Sequence, residues 1–465
     1  MDSRVESFFQ SLPKKRVAFL GVGVTNTGII RLFAKKGAQV TACDKRSEEQ
    51  LGEIAEELKA LGVTLKLGPD YLKDIDADMI FRTPGMKFFL PELNEYRRKG
   101  VAVTSEMEVF FELCPAYKIA VTGSDGKTTT TTIISEFLKA EGNTVHLGGN
   151  IGRALLPEIE SITPEDYAVV ELSSFQLISM RQSPDIAVVT NVAPNHLDMH
   201  KDMQEYINAK RNILLHQNAF SKTILNADNE ITRSFEQDVR GQTIWFSYHH
   251  PVQEGSFLDA DGYLCMAHGG KITRVLHKSE IRVPGEHNVE NYLTAIAAVW
   301  GLVSPDTMKR VATEFGGVEH RIEFGRGIGG AKWYNDSIAS SPTRTIAGLK
   351  SFPHRVILIA GGYDKKIPYE PLAPYINDKV KTLILMGPTG PKIEAAVKAD
   401  PSFVEGRVEI RHVSSMEEAV HTAYELSGKG DIITLSPASA SFDLYSNFEV
   451  RGRHFKQLVK ELAEK

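Results

Sequence analysis

The stretch YKIAVTGSDGKTTTTTIISEFL, residues 117–138, narrows the fold more than any other part of the chain. An apolar run that reads as a strand meets Gly123 and Gly126, and a helix-length segment leaves the loop at Lys127 and Thr128. The glycines let successive backbone N–H groups turn inward, and the helix adds its positive amino end, so the loop is suited to holding phosphate. Lys127 has the reach for β- and γ-phosphates, and the Thr128 hydroxyl can ligate magnesium. The common phosphate loop has four residues between its glycines; here two separate Gly123 from Gly126, and Val121 stands where the first glycine is expected. The strand leading in and the helix leading out outweigh that departure.

A second glycine turn lies near the amino terminus. In RVAFLGVGVTNTGIIRLFAKKGAQVTACDKR an apolar run, Val17 to Leu20, meets Gly21 and Gly23, a helical stretch ends at Gly37, and a second strand delivers Asp44 at its carboxyl end. VTLKLG, ADMIFRTPG with its Pro84-Gly85 turn, and VAVTSEMEVF continue the alternation. YKIAVTG opens a second block, in which DYAVVELSSF and DIAVVTNVAPNH are apolar strands ending in polar residues. From about Gln242 to Arg282 short alternating segments (TIWFSY, YLCMAHG, KITRVL) read as a β-rich appendage, and PGEHNVENYLTAIAAVW begins a helix. Past Val318 the strands RVILIAGG, KTLILMG, VEIRHV and DIITLSP form a third block. The expectation is an α/β chain of three parallel-sheet domains with ligand sites at strand carboxyl ends. These are an N-terminal Rossmann-like domain (1–105), a central P-loop ATPase-like domain with a β-rich appendage (106–317) and a C-terminal Rossmann-like α/β domain (318–465). A length of 465 residues asks for two to four domains on its own.

Composition bounds the function classes. Hydrophobic residues at 42% and charged residues at 24% are the balance of a soluble globular protein. Lys plus Arg (54) against Asp plus Glu (59), without a long basic run, gives no reason to expect a nucleic-acid partner. Cys43, Cys114 and Cys265 are widely spaced and form no CxxC pair, so reduced thiols are expected rather than zinc or a redox couple. The amino terminus lacks the apolar core of a signal peptide, and no run of about 18 apolar residues occurs, so a cytoplasmic protein without a membrane span is expected.

Glu171 ends the strand YAVVEL, where a metal-directed carboxylate belongs in a phosphoryl-transfer site, and His196 and Asp198 end the next strand. The first loop admits two readings. Asp44 lies 21 residues beyond Gly23, near the ribose-binding spacing of a dinucleotide fold, but Asn26 stands where the third glycine would fall. GVGVTNTG can therefore serve a nicotinamide cofactor or cradle the diphosphate of another nucleotide. An NAD-dependent dehydrogenase would leave TGSDGKT, Glu171 and Lys210 unemployed, and a non-catalytic nucleotide-binding regulator would leave them idle.

The ordered set GVGVTNTG, TGSDGKTT, GGNIG, ELSSFQL, NVAPNHLD, YINAK ending at Lys210, LNADN, GEHNVEN, HRIE, NDSIAS and LSPASASFDLYSNFEVRGRHF resembles the Mur ligase family over nearly the whole chain. The resemblance implies an ATP-dependent amide ligase that works through an acyl phosphate, with ATP and Mg2+ as cofactors. The GVGVTNTG-to-Asp44 unit and SFDLYSNFEVRGRHF favour the branch that joins D-glutamate to UDP-N-acetylmuramoyl-L-alanine in peptidoglycan synthesis. Another Mur step or a folylpolyglutamate-type ligase with a different amino acid is the alternative, and a monomer is expected.

By the same resemblance, Gly123, Ser124, Asp125, Gly126, Lys127, Thr128 and Thr129 would hold ATP, with Asn288 and Asn291 at adenine and Arg321 and Asp336 reaching it from the third domain. Lys127, Glu171, His196 and Lys210 would be the catalytic set. Thr128, Glu171, His196 and a carbamylated Lys210 would support the metal, because adding carbon dioxide turns a cation into an anion. Val24, Thr25, Asp44, Arg46, Thr83, Pro84, Gly85, Asn150 and His196 would hold the UDP substrate. Ser340, Lys365, Ser441, Phe442 and Phe448 would hold the amino acid. Two positions depart from the family pattern: Asn26 replaces a glycine, and Ile338 stands where some relatives have lysine.

Overall fold

The computed structural model describes residues 3–151, 153–194 and 200–463. Its contacts divide it into two bodies, Met1–Lys278 with Glu290–Val311, and Ser279–Val289 with Ala312–Lys465. Among the described residues the strands form three sheets.

In the first body, β1 (Arg16–Leu20), β2 (Gln39–Asp44), β3 (Thr64–Leu67), β4 (Met79–Arg82) and β5 (Ala102–Thr104) make a sheet of order 3-2-1-4-5, parallel throughout. The pleat sends Val17 and Phe19 of β1 into one core and Ala18 and Leu20 into another, which is why RVAFL is apolar at every position after Arg16. The core under Val17 and Phe19 continues into the second sheet, through Ala120, Val170 and Val189.

That second sheet holds β6 (Tyr117–Thr122), β7 (Val145–Gly149), β8 (Tyr167–Glu171), β9 (Ile186–Val189), β10 (Lys222–Asn226), β11 (Gln242–Ser247), β12 (Gly255–Leu258), β13 (Tyr263–His268) and β14 (Lys271–His277), in the order 14-13-12-11-10-9-6-8-7. In the second body, β15 (Glu323–Ile328), β16 (Ala331–Asn335), β17 (Val356–Gly361), β18 (Val380–Met386), β19 (Glu409–His412) and β20 (Ile432–Leu435) run 15-16-20-17-18-19.

The expectation of three parallel sheets needs correction at two edges. β13 runs antiparallel to β12 and to β14, and β15 runs antiparallel to β16. The cause is local: Gly269-Gly270 between β13 and β14 and Gly329-Gly330 between β15 and β16 are two-residue hairpin loops whose φ angles (+58° and +76°; +55° and +80°) suit the tight turn that right-twisted strands require, and the turn at 259–262, closed by the Gly262 N–H on the Asp259 carbonyl (3.0 Å), reverses the chain between β12 and β13. The β-rich appendage is thus a mixed extension of the central sheet, with β11 and β12 parallel and β13 and β14 antiparallel. No helix of the described residues is long and apolar enough to cross a membrane, and all three cysteines are free and buried.

Candidate active site

The phosphate loop leaves β6 and enters the helix Lys127–Ala140. Behind it stand Thr190 and Asn191, just past the end of neighbouring β9. Thr190 Oγ1 donates to the Asp125 carbonyl (2.6 Å), Asn191 Oδ1 accepts from the Asp125 N–H (2.9 Å), and the Asn191 carbonyl accepts from the Ser124 N–H (2.9 Å). Ser124 Oγ donates to the Ala193 carbonyl (2.9 Å), accepts from the Ala193 N–H (2.9 Å) and lies 3.0 Å from the Tyr206 hydroxyl. Lys127 Nζ donates to the Ser124 carbonyl (2.9 Å), and Thr128 beside it is half-buried. The threonine run fits a helix despite its branching because Thr131 and Thr132 return their hydroxyls to the carbonyls of Lys127 and Thr128. Thr130 Oγ1 reaches Asn291 Oδ1 at 3.2 Å, and Thr129 is buried.

Glu171 and Asn150 end the two strands beyond β6, where β8 pairs Val121 with Glu171 and β7 pairs Gly149 with Glu171. Asn150 Nδ2 donates to Glu171 Oε1 (2.6 Å), and Glu171 Oε2 is buried with no hydrogen-bond partner. Lys210 comes from the helix Met203–Leu215, which packs against β6 and β9. Its side chain is 2% exposed, and Nζ donates to the Gly123 carbonyl (2.6 Å) and sits 4.6 Å from the Tyr206 ring centroid. Burial, reinforced by the Lys127 charge, pulls the Lys210 amine well below the ordinary lysine range. Phosphate loop, carboxylate and buried amine therefore meet at the carboxyl ends of adjacent strands. His196 and Asp198 lie outside the described residues.

At the first glycine loop, Val24 and Thr25 open the helix Val24–Lys35. Asp44 Oδ2 accepts from the Val22 N–H (2.7 Å), and Arg46 grips both Asp44 oxygens (3.0 and 2.9 Å) while reaching the Val22 carbonyl (2.6 Å). Burial alone would raise the Asp44 carboxyl; the hydrogen bonds from Arg46 and Val22 outweigh it and hold it at about 2. Asn26, in place of the third glycine, is wholly buried and donates to the carbonyls of Leu20 (3.1 Å) and Gly21 (2.9 Å), bracing the loop from beneath. Thr83, Pro84 and Gly85 form a turn beside it at the end of β4, closed by the Met86 N–H on the Thr83 carbonyl (3.1 Å).

In the second body, Asn288 Nδ2 donates to the Pro284 carbonyl (2.6 Å). Asp336 immediately follows β16 and is buried, with Oδ1 accepting from the Ile322 N–H (3.3 Å), next to Arg321, and Oδ2 from Ser436 Oγ (2.8 Å); burial pushes its carboxyl up to about 7. Ser340 follows β16, Ser441 and Phe442 follow β20, and Lys365 follows β17, so all four leave neighbouring strand ends. Phe442 is 61% exposed, and its ring meets Tyr363 edge-on at 5.9 Å. Phe448 opens the helix Phe448–Glu461. Buried Arg451 ties these loops together through the carbonyls of Ser337, Ser439 and Ala440 (2.9, 3.1 and 3.0 Å).

Sequence reasoning passed over Thr190, Asn191, Tyr206 and Arg451. Tyr206 had a usable signal, since it lies four residues before Lys210 and shares its helix face. Arg451 lay within the segment LSPASASFDLYSNFEVRGRHF together with Ser439 and Ala440, but nothing local reports its bond to Ser337, 114 residues away.

Profiles described as "Mur ligase MurD-like, N-terminal domain", "Mur ligase middle domain" and "Mur ligase, glutamate ligase domain" match residues 15–105, 121–299 and 320–439. The UDP-N-acetylmuramoylalanine–D-glutamate ligases of Acetivibrio thermocellus and Ruminiclostridium cellulolyticum are 50% and 48% identical, covering 99% of this chain and 100% of each relative. Among solved structures, the UDP-N-acetylmuramate-alanine ligase MurC of Thermotoga maritima has a TM-score of 0.56 at 17% identity, covering 96% of this chain and 99% of that one. A pseudomurein peptide ligase type C from Methanothermus fervidus has a TM-score of 0.52 at 18% identity, covering 97% and 100%. Those two speak for the fold alone. Three profiles in chain order, full-length relatives at half identity and the shared architecture agree: the chain belongs to the Mur ligase family.

Proposed function

We propose that the chain is an ATP-dependent amide ligase that adds D-glutamate to UDP-N-acetylmuramoyl-L-alanine, in the cytoplasm, as a step of peptidoglycan precursor synthesis. A carboxylate is a poor acylating agent. Transfer of the γ-phosphoryl group of ATP to the alanyl carboxylate gives ADP and an acyl phosphate; the deprotonated amine of D-glutamate attacks its carbonyl carbon, phosphate leaves, and an amide remains. Positioning and charge neutralisation carry such a reaction. The loop N–H groups and Lys127 hold the phosphates, and Asn150 stands between them and the UDP-linked carboxylate. Residues 1–105 carry the UDP substrate at Val24, Thr25, Asp44, Arg46 and the Thr83–Gly85 turn, residues 106–317 carry ATP, and residues 318–465 carry the amino acid at Ser340, Lys365, Ser441, Phe442 and Phe448. Asn288, Asn291, Arg321 and Asp336 are assigned to ATP, and the chain acts as a monomer.

The observation that carries this reading is the meeting of a phosphate loop with a carboxylate whose second oxygen is buried and unpartnered, and with a buried lysine amine on the Gly123 carbonyl whose burial favours the neutral form. That donor set fits magnesium: Glu171, Thr128, His196 and Lys210 as its carbamate would hold the ion, which when bound neutralises charge on the phosphates. Carbamylation balances as neutral amine plus carbon dioxide giving an anionic carbamate and a proton.

The test is phosphate release from MgATP with UDP-N-acetylmuramoyl-L-alanine and, in turn, D-glutamate, L-glutamate, L-alanine and meso-diaminopimelate. Release with D-glutamate alone, with the matching product mass, is expected. Release with a different amino acid would keep the ligase chemistry and overturn the named step.

A further inference from the structure

Arg82 closes β4 immediately before the Thr83–Gly85 turn and is 1% exposed. Its Nη1 donates to the carbonyls of Thr83 (3.5 Å) and Met86 (3.3 Å), at the two ends of that turn. Its Nη2 donates to the Phe175 carbonyl (2.9 Å) and Ser179 Oγ (2.7 Å), in the segment that follows Glu171. Ser179 Oγ donates onward to Glu108 Oε2 (2.9 Å), which also accepts from Ser105 Oγ (2.7 Å). A buried cation is thus matched to a carboxylate through one hydroxyl, with the turn on one side and the Glu171 segment on the other.

A cleft of about 340 Å³ opens beside this brace, with residues 85–91 as one wall and Phe175, Ile178 and His200 in the other. Arg82 bonds one carbonyl in each wall, Met86 and Phe175. The Phe175 wall is also held within itself: His200 stacks on the Phe175 ring at 5.1 Å, and its Nε2 meets Ser174 Oγ at 2.8 Å. With that wall held by these contacts, the bonds from Arg82 to Met86 and Phe175 tie the turn to it. Burying a guanidinium is costly, here with both Nη groups bonded but the buried Nε without a partner, and a packing role alone would be served at less cost by an apolar side chain.

We propose that Arg82 is a positioning residue: it fixes the Thr83–Gly85 turn against the segment behind Glu171, and so aligns the UDP-linked substrate with the phosphoryl-transfer site. The proposal rests on the assignment of that turn to UDP-N-acetylmuramoyl-L-alanine. The fork geometry matters, because four acceptors in two directions suit a planar guanidinium and not an ammonium.

The experiment compares the wild type with Arg82→Met, Arg82→Lys, Ser179→Ala and the Arg82→Met/Ser179→Ala double variant. Calorimetric affinities for UDP-N-acetylmuramoyl-L-alanine and for ATP are measured separately, alongside KM, kcat and melting temperature. Loss of charge-assisted bonds of this kind predicts that Arg82→Met weakens UDP-substrate affinity roughly tenfold or more, with ATP affinity within about twofold of wild type. Arg82→Lys recovers part of the loss, and the double variant is no worse than Arg82→Met, since both changes break one chain of bonds. Should Arg82→Met fail to fold, Arg82→Lys and Ser179→Ala carry the same comparison. Unchanged UDP-substrate affinity, or equal weakening toward both ligands, overturns the positioning role. If the wild type itself does not bind UDP-N-acetylmuramoyl-L-alanine, the substrate assignment falls first and takes this proposal with it.

Discussion

Shielding a lysine amine from water, as at Lys210 against the Gly123 carbonyl, shifts its titration downward toward the neutral form. A neutral amine is a nucleophile toward carbon dioxide, and the product restores charge of the opposite sign where phosphate-bound cations need it. The expected outcome is a mass increment of one carbon dioxide on Lys210 in bicarbonate buffer at neutral pH. The increment is lost as pH falls, because protonation removes the nucleophile, and it is absent in Lys210→Met. Replacing the group should lower kcat by about a hundredfold or more while leaving UDP-substrate binding near wild type, since it acts on developing charge rather than on recognition. Intact-protein mass spectrometry and steady-state kinetics check both halves.

The two glycine loops look alike as elements and make different demands on their glycines. Gly123 has φ +151°, and an added Cβ would run into Thr190 Oγ1, so Gly123→Ala must displace the loop or β9. A stability loss on the order of 1–3 kcal/mol is expected, with ATP binding lost, as read by denaturant unfolding and calorimetry. Gly23, with φ −111° and open space where a methyl group would project, should accept alanine within about 0.5 kcal/mol, while its UDP-substrate affinity falls. Equal destabilisation by both changes would contradict this account. The elements themselves were legible where the signal is local: β1, β6, β17 and the phosphate-loop helix follow from apolar runs and glycine punctuation. The antiparallel edges were written too, in the paired glycines at 269–270 and 329–330, but β15 carries glycines of its own beside those of its loop, in GRGIGG, and so shows no apolar run. β7 escaped notice because its residues are only partly buried apart from Gly148, so no apolar run marks it. The props of the site, Thr190–Asn191 behind the loop and Arg82 across the cleft, act over 65 to 97 residues of sequence separation, where no periodicity reports on contact.

At the scale of the molecule, the passage from the first sheet to the central one carries a buried carboxylate in addition to the shared core and the Arg82 bonds. Glu106 opens the helix Glu106–Leu113, between the first sheet and β6, and its Oε1 accepts from the N–H groups of Leu155 and Leu156 (2.9 Å each). Burial pushes this carboxyl up to about 7, only partly countered by those two bonds. Because the folded value lies above the unfolded one of 4.5, the folded chain holds a proton that the unfolded chain releases between these values. The contribution of Glu106 to stability is therefore complete below about pH 4.5 and is lost as pH rises through 7, the loss reaching about 3 kcal/mol by pH 8. Glu106→Gln keeps an oxygen for the two N–H groups and removes the titration. The difference in unfolding free energy, variant minus wild type, should consequently grow between pH 5 and 8 in favour of the variant. Urea unfolding of both proteins at several pH values measures it, and a difference that stays flat across that range would show that Glu106 remains ionised in the fold.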